Sequence, residues 1–373
     1  MRVLVDARSL AGSRGVTRYT RCLLEAMAAD FPGDRWVVFA PGRDELPGID
    51  GLRALRNVSV RRHPLPGRVL FGAAAVAGRP RLERLAGAPG PDVVWAPAVA
   101  PIAVSPGIPL VLTVHDLSFE LRPQDFTAYE RLWHRLARPR ALAARAAAVI
   151  VPAPSTREQL VSRWGLDRAR IVVVPEGALR SAADRGAPVE SGAMLARRGL
   201  TPGGYLLAVG ALEPRKAPQL LARAYATARR RGLRAELVFA GEGRLASRLV
   251  APGVRLLGRV TDAELGALYA GAIALAAPSL LEGYGLTVRE ALAHGTPAVI
   301  SDLPEFGDEL SGAVLRVPAG DEDALSLALA RIAGDPAVRA ALAGAARPAV
   351  AGLSWRAAGE RTRAVLERAS AGR

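Results

Sequence analysis

Thirteen short apolar runs, alternating with amphipathic helical stretches, constrain this chain more than any other feature. The first seven are Val3–Asp6, Trp36–Ala40, Val58–Arg61, Val93–Ala96, Leu110–Val114, Val149–Val151 and Ile171–Val174. The other six are Tyr205–Val209, Glu236–Ala240, Val254–Leu257, Ile273–Ala276, Ala298–Ser301 and Val314–Val317. Strands that are apolar almost throughout belong to parallel sheets covered on both faces. The pattern runs twice in 373 residues, a length above the ~250–300 at which single cores divide. The expected fold class is α/β, with two doubly wound domains. Residues 1–190 should form the first domain and 200–352 the second, with a helix in 353–373 packing back towards the first. The Ala-, Gly- and Ser-rich stretch from Arg180 to Gly204 reads as the linker.

Lys and Arg total 50 against 35 acids, a formal charge of +15. That balance permits attraction to nucleic acid, anionic lipid or phosphorylated substrates. No lysine-rich tail and no aromatic RNA motif accompanies it, so nucleic acid is not an expected partner. A single cysteine, Cys22, excludes an intrachain disulfide and a cysteine metal cluster. The chain enters a strand at "MRVLVDA" without a signal-peptide pattern. Its longest apolar region, Val94 to Val114, is interrupted by Pro97, Pro101, Pro106 and Pro109, which does not suit a spanning helix. The expected location is cytoplasmic. The Arg-rich segment 131–148 reads either as a packed basic helix around Trp133 or as a peripheral contact with anionic lipid on the inner membrane face.

In open parallel sheets ligands bind beyond the carboxyl ends of strands, so those ends are the places to inspect. After Ile273–Pro278 the chain reads "SLLEGYGLTVRE". Gly283 and Gly285 let backbone approach a ligand around Tyr284, and a helix from about Leu286 and Thr287 offers N–H groups to phosphate. Glu282 in the turn and Glu290 in the helix can accept hydrogen bonds from hydroxyls. An ordinary turn with Glu282 favoured by the helix dipole fits the same residues. After Val209 comes Gly210 and then Arg215-Lys216 beside a helix start, where cations are disfavoured unless an anion sits between. His115 follows Val114, a position open to a substrate contact or to a structural role. Gly12 and Gly15 follow the first strand in a loop that matches neither the dinucleotide nor the P-loop pattern. Gly258-Arg259-Val260 can face a nucleobase, while Thr261 with Glu264 reads as a capping box. No residue cluster points to a metal.

Together these strand ends resemble the family 4 retaining glycosyltransferases, mannosyltransferase-like branch. "PSLLEGYGLTVREALAHGTPAV" is similar to that family's pair of glutamates eight positions apart, and "GALEPRKAPQLLARAY" to its Arg-Lys segment. "GRVTDAELGALYAGA", "SDLPEFGDELSGAVLRVPAGDEDAL", "SRGVTRYTRCLLEAM" and "VLTVHDLSFELRPQDF" fit as well, in the same order along nearly the whole chain. The chain departs from the family at Thr17, near Gly15, where a small residue is usual. It departs again at Ala217, where Asn is common, and at Pro175-Glu176-Gly177, where Pro-Asn-Gly is common.

The resemblance implies the GT-B fold, two Rossmann-like domains facing across a cleft. It implies transfer of a hexose from a nucleotide diphosphate sugar to a glycan or lipid-linked acceptor hydroxyl, as in polysaccharide biosynthesis. The anomeric configuration would be retained, without a metal ion or other cofactor. By resemblance, Arg215 and Lys216 meet the diphosphate, Glu282 the sugar, Glu290 the ribose, and His115 the transferred sugar from the other domain. Gly15, Gly210, Val260, Gly283, Tyr284, Gly285, Leu286 and Thr287 would line the donor site. GDP-mannose is the favoured donor. Two alternatives stay open: a non-catalytic relative binding glycan or a partner enzyme, and another GT-B enzyme such as a nucleotide-sugar epimerase.

Overall fold

The computed structural model describes residues 1–11, 15–42, 46, 49–88, 90–178 and 188–372. Each of the thirteen apolar runs forms a strand. They are β1 Arg2–Asp6, β2 Arg35–Pro41, β3 Val58–His63, β4 Val93–Ala96, β5 Leu110–Thr113, β6 Ala148–Val151, β7 Ile171–Val173, β8 Tyr205–Val209, β9 Glu236–Ala240, β10 Val254–Leu256, β11 Ala274–Ala277, β12 Ala298–Ser301 and β13 Val314–Val317. The first sheet has the order β3-β2-β1-β4-β5-β6-β7 and the second β10-β9-β8-β11-β12-β13. The paired strands in both run parallel.

The apolar runs are explained by burial on two faces. In the second sheet Leu207, Val238, Leu275 and Ile300 enter one core. Their sequence neighbours Leu206, Leu237, Ala274 and Val299 enter another on the opposite face. Successive side chains point to opposite faces of a strand, so both registers must be apolar.

The chain forms two compact units. One holds Met1–Gly177 together with Trp355–Arg373, and the other holds Ala178–Ser354. Within the first, helix Trp355–Ala371 packs on helix Gly15–Asp30. Gly359 permits the approach, since a Cβ there would lie 3.3 Å from Cγ of Met27. Trp355 sets its ring edge-on to Tyr19, and Arg363 donates to Asp34 at 2.7 Å.

The stretch from Arg180 to Gly204 is not irregular throughout. Pro188–Arg197 forms a helix that packs on helix Asp262–Gly271, with Leu195 buried. Its Ala, Gly and Ser content hid one apolar stripe. Residues 180–187 lie outside the described residues, as does Gly12.

Candidate functional site

In the second unit the strand order reverses between β8 and β11, whose carboxyl ends lie side by side. Open parallel sheets leave a crevice at such a switch point. A pocket opens there, lined by Val209 to Leu212 after β8 and by Pro278, Ser279 and Glu282 after β11, with Lys216 and Thr287 closing its sides. The loop after β9 supports it from behind. Gly241 lies so close to Gly210 that a Cβ would overlap the Gly210 carbonyl, and its φ of 150° would strain any other residue.

Arg215 and Lys216 do not begin the following helix, which runs Pro218–Arg230. They occupy a single 3₁₀ turn, Pro214–Lys216, ahead of it. Ala217 then takes a left-handed conformation at φ 50° before the helix starts. The detour points both cations at the loop after β11. Lys216 Nζ donates to Oε1 of Glu282, and Arg215 Nη1 stands 3.9 Å from Oε2. Ser279 Oγ donates to Oε1 of Glu282 at 2.7 Å, and the Leu280 N–H donates to the Arg215 carbonyl at 2.8 Å. The two loops are therefore joined by backbone and side chain alike.

Glu282 is buried at 5 % exposure. Burial by itself would raise its carboxyl. The adjacent Lys216 and Arg215 charges and the bonds from Lys216 and Ser279 overcome that, holding it below the usual carboxylate range. The cluster carries two cations against one ionised carboxylate. It can attract an anion and accept a hydrogen bond from a hydroxyl in the same pocket.

The turn after Glu282 divides its residues. Thr287, in helix Leu286–Ala293, lines the pocket, while Tyr284 is buried beneath the guanidinium of Arg289, 3.9 Å above its ring. Arg289 also donates to the Tyr284 carbonyl and pairs with Glu309 at 3.0 Å. Gly285 caps the helix at φ 73°. Glu290 lies inside that helix, 2 % exposed, and accepts from the Tyr269 hydroxyl at 2.9 Å. Tyr269 is itself stacked on His294. Val260 is half-buried against the core beyond β10, and the capping box of Thr261 with Glu264 is formed. Gly210, Lys216, Glu282 and Thr287 thus share one pocket, while Arg215 reaches it only through Glu282 and Gly283, Tyr284, Gly285 and Leu286 do not line it. Val260 and Glu290 are not among the residues that line it.

Gly15 and His115 belong to the first unit. Gly15 opens helix Gly15–Asp30, and His115 follows β5. The His115 ring packs edge-on against Tyr19 at 4.6 Å. Its Nε2 lies 2.9 Å from the Pro97 carbonyl, and its Nδ1 lies 3.2 Å from Oε1 of Glu176. A carbonyl only accepts, so Nε2 carries a proton. A second proton on Nδ1 completes the ion pair with Glu176. Burial opposes that charge, but the Glu176 bond and field, the Pro97 carbonyl and Asp116 outweigh it, so His115 titrates above its ordinary value.

This geometry makes a pH prediction. The folded value is raised above the ordinary ~6.5, so the pair contributes fully below that pH and its contribution fades as pH rises through the folded value. In Glu176→Gln, His115 should titrate at lower pH, and the stability gap to the parent should shrink towards alkaline pH. NMR titration of the ring protons checks this. An unmoved His115 titration would remove Glu176 as the cause.

Three partners were not legible in the sequence: Ser279 for Glu282, Tyr269 for Glu290 and Glu176 for His115. Glu176 follows β7, so inspecting every strand end for carboxylates would have found it. Among the described residues no group of three His, Cys, Asp or Glu side chains is placed to hold a metal ion, and no helix is long and apolar enough to cross a membrane.

Residues 13–178 match the family described as Glycosyltransferase Family 4, and residues 203–335 match Glycosyl transferases group 1. A D-inositol 3-phosphate glycosyltransferase of Actinosynnema mirum is 35% identical over 273 residues, covering 67% of this chain and 64% of that protein. The O-antigen chain mannosyltransferase B of Escherichia coli is 29% identical over 231 residues, 58% of this chain and 59% of that one. The chain thus spans less than two thirds of the length of these curated relatives. Among solved structures, Anabaena HepE in complex with UDP-glucose superimposes with a TM-score of 0.72 at 18% identity, covering 99% of this chain and 100% of that one.

Proposed function

The chain belongs to the family 4 glycosyltransferases and has their GT-B fold, and on that premise we propose that it moves a hexose from a nucleotide diphosphate sugar to an acceptor hydroxyl. The observation that carries the proposal is the Arg215–Lys216–Glu282 cluster at the β8/β11 switch point. Departure of the nucleoside diphosphate concentrates negative charge on its outer phosphate. Arg215, Lys216 and the N–H groups at the start of helix Leu286–Ala293 are suited to stabilise that charge as it grows. The Glu282 carboxylate, kept ionised, would accept from a hydroxyl of the donor sugar. Glu290, which accepts from Tyr269 and does not line the pocket, is assigned to the ribose by the resemblance alone.

The proposed chemistry retains configuration. The bond between the anomeric carbon and the phosphate oxygen breaks, the acceptor oxygen bonds to that carbon on the same face, and the acceptor proton passes to the departing phosphate. His115, whose charged form the Glu176 bond favours, is assigned to the transferred sugar by the resemblance alone.

For the donor we favour GDP-mannose, with a glycan or lipid-linked acceptor. The likeness to an O-antigen chain mannosyltransferase supports this choice. The likeness to HepE, solved with UDP-glucose, makes uridine nucleotides the comparison to run beside it. In a thermal-shift panel with EDTA present, GDP-mannose should stabilise the protein by about 2.7 kcal/mol at a hundredfold excess over its dissociation constant. A selective response to UDP-sugars would replace the donor and keep the reaction. A folded protein that no nucleotide stabilises would overturn the transferase reading.

A further inference from the structure

An arginine is almost never fully buried unless it is paired. Arg289 is 3 % exposed, inside helix Leu286–Ala293 among Val288, Ala291 and Leu292. Stability is a weak reason for it. The carboxylate that pairs with it, Glu309, keeps 52% of its side-chain exposure, and its own Nε has no hydrogen-bond partner among the described residues. Replacing a buried ion pair with apolar groups is often neutral or stabilising. The contacts of the guanidinium point to a different role.

What Arg289 grips is the turn after Glu282. Its Nη1 donates to the Tyr284 carbonyl, and its guanidinium covers the Tyr284 ring. Its Nη2 donates to Oε1 of Glu309 at 3.0 Å and to the Glu305 carbonyl at 3.4 Å. One planar fork thus ties the loop after β11 to the loop after β12. Phe306, from the same second loop, lies where a Cβ on Gly285 would be. That loop is itself anchored: Arg316 of β13 donates to the Gly307 carbonyl and pairs with Asp302 at 3.1 Å. Lysine, a point charge on a flexible stem, would not span these acceptors as a fork does.

A trans peptide is planar, with its C=O and N–H pointing opposite ways. Fixing the Tyr284 carbonyl therefore fixes the Gly285 N–H, which faces away from the buried guanidinium. Glycine accepts either sign of φ, so without the Arg289 bond this peptide would be free to turn over. The Gly285 carbonyl accepts from the Val288 and Arg289 N–H groups at 3.0 and 3.2 Å, the first bonds of the helix. A turned peptide would shift the helix start and the spacing of Glu282 from Thr287, the two pocket residues that the turn connects. We propose that Arg289 is a positioning residue for glycosyl transfer. It does not line the pocket; it holds the Tyr284–Gly285 peptide so that Glu282 and the helix start receive the donor and its leaving diphosphate together. The inference rests on the transferase reading above.

Tyr284-Gly285 is the one Tyr-Gly pair in the chain, which makes the peptide observable by itself. Tyrosine labelled at its carbonyl carbon, with glycine labelled at nitrogen, leaves a single filtered NMR signal from the full chain. In Arg289→Met that signal should move or split. With GDP-mannose, and with UDP-glucose beside it, kcat should fall by about tenfold to a hundredfold while KM stays within about threefold. The thermal midpoint should stay at the parental value or rise. A role in folding alone would lower the midpoint and spare kcat. Arg289→Lys should regain only part of kcat. Glu309 is half exposed, so Glu309→Gln tests the grip in a protein that folds: the signal should move the same way, with a smaller loss of kcat. A parental signal or a parental kcat in both Arg289→Met and Glu309→Gln would overturn the proposal, as would a loss confined to KM. A parent whose signal stays still and whose midpoint does not change with either GDP or UDP would overturn the transferase reading, and this inference with it.

Discussion

Replacing Lys216 with Met should cost more than any other single change in the pocket. It removes a cation from the proposed leaving group, a loss of about 10²–10³ in rate for one stabilising donor. It also leaves the Glu282 carboxylate, 5 % exposed, with only Ser279 and a more distant Arg215. Breaking a dry ion pair costs about 3–5 kcal/mol, and Lys216 keeps 19% of its exposure, so roughly 2–4 kcal/mol is expected. The two effects separate in a double variant. Lys216→Met with Glu282→Gln should regain most of the stability and none of the activity. Denaturant midpoints and initial rates on the same preparations check both parts.

The sign of the acid limb follows from the same pair. The folded value of Glu282 is depressed, so its contribution is present above the ordinary carboxylate range and is lost as pH falls through the folded value. In Lys216→Met that limb should move to higher pH. Full rate in this variant would sink the assignment of Lys216 to the leaving group.

The second large effect is structural. Gly285 caps the helix that begins at Leu286, with φ at 73°, and a Cβ there would overlap the fully buried Phe306 ring. In Gly285→Ala the left-handed backbone costs about 1–2 kcal/mol. Overpacking against Phe306 adds about 1–3 kcal/mol. The melting temperature should fall by roughly 5–15 °C for a unit of this size. Gly344→Ala is the control. Gly344 sits in helix Pro336–Ala349 with open space around it, so alanine there should be neutral or stabilising. A Gly285→Ala protein that melts with the parent would show that the turn can rearrange around Phe306.

Much of the architecture was legible because strands buried on both faces leave unbroken apolar runs, as Val3–Val5 and Leu206–Leu207 do. Periodicity does not show which strands become neighbours. Lys216 and Glu282 are 66 positions apart and meet because β8 lies next to β11. His115 and Glu176 meet across 61 positions although β6 lies between the strands they follow, β5 and β7. The residues in the pocket could be named from strand ends, but their pairing could not. The helix at Pro188–Arg197 is not legible because its small residues imitate a linker and, among its described side chains, only Leu195 is buried. The catalytic reading came from the order of several motifs along the chain. Neither Glu282 nor Lys216 by itself distinguishes a transferase from an ordinary turn.

The return of the last helix to the first unit has a consequence for how the protein is made. The ribosome completes Ala178–Ser354 before it supplies Trp355–Ala371, which cover Tyr19 and Met27. At ~5–20 residues per second that segment takes roughly 10–40 s, and throughout it helix Gly15–Asp30 keeps that face bare. The unit begun first is finished last, and for that interval the nascent chain offers chaperones an uncovered core beside a middle segment that is already closed.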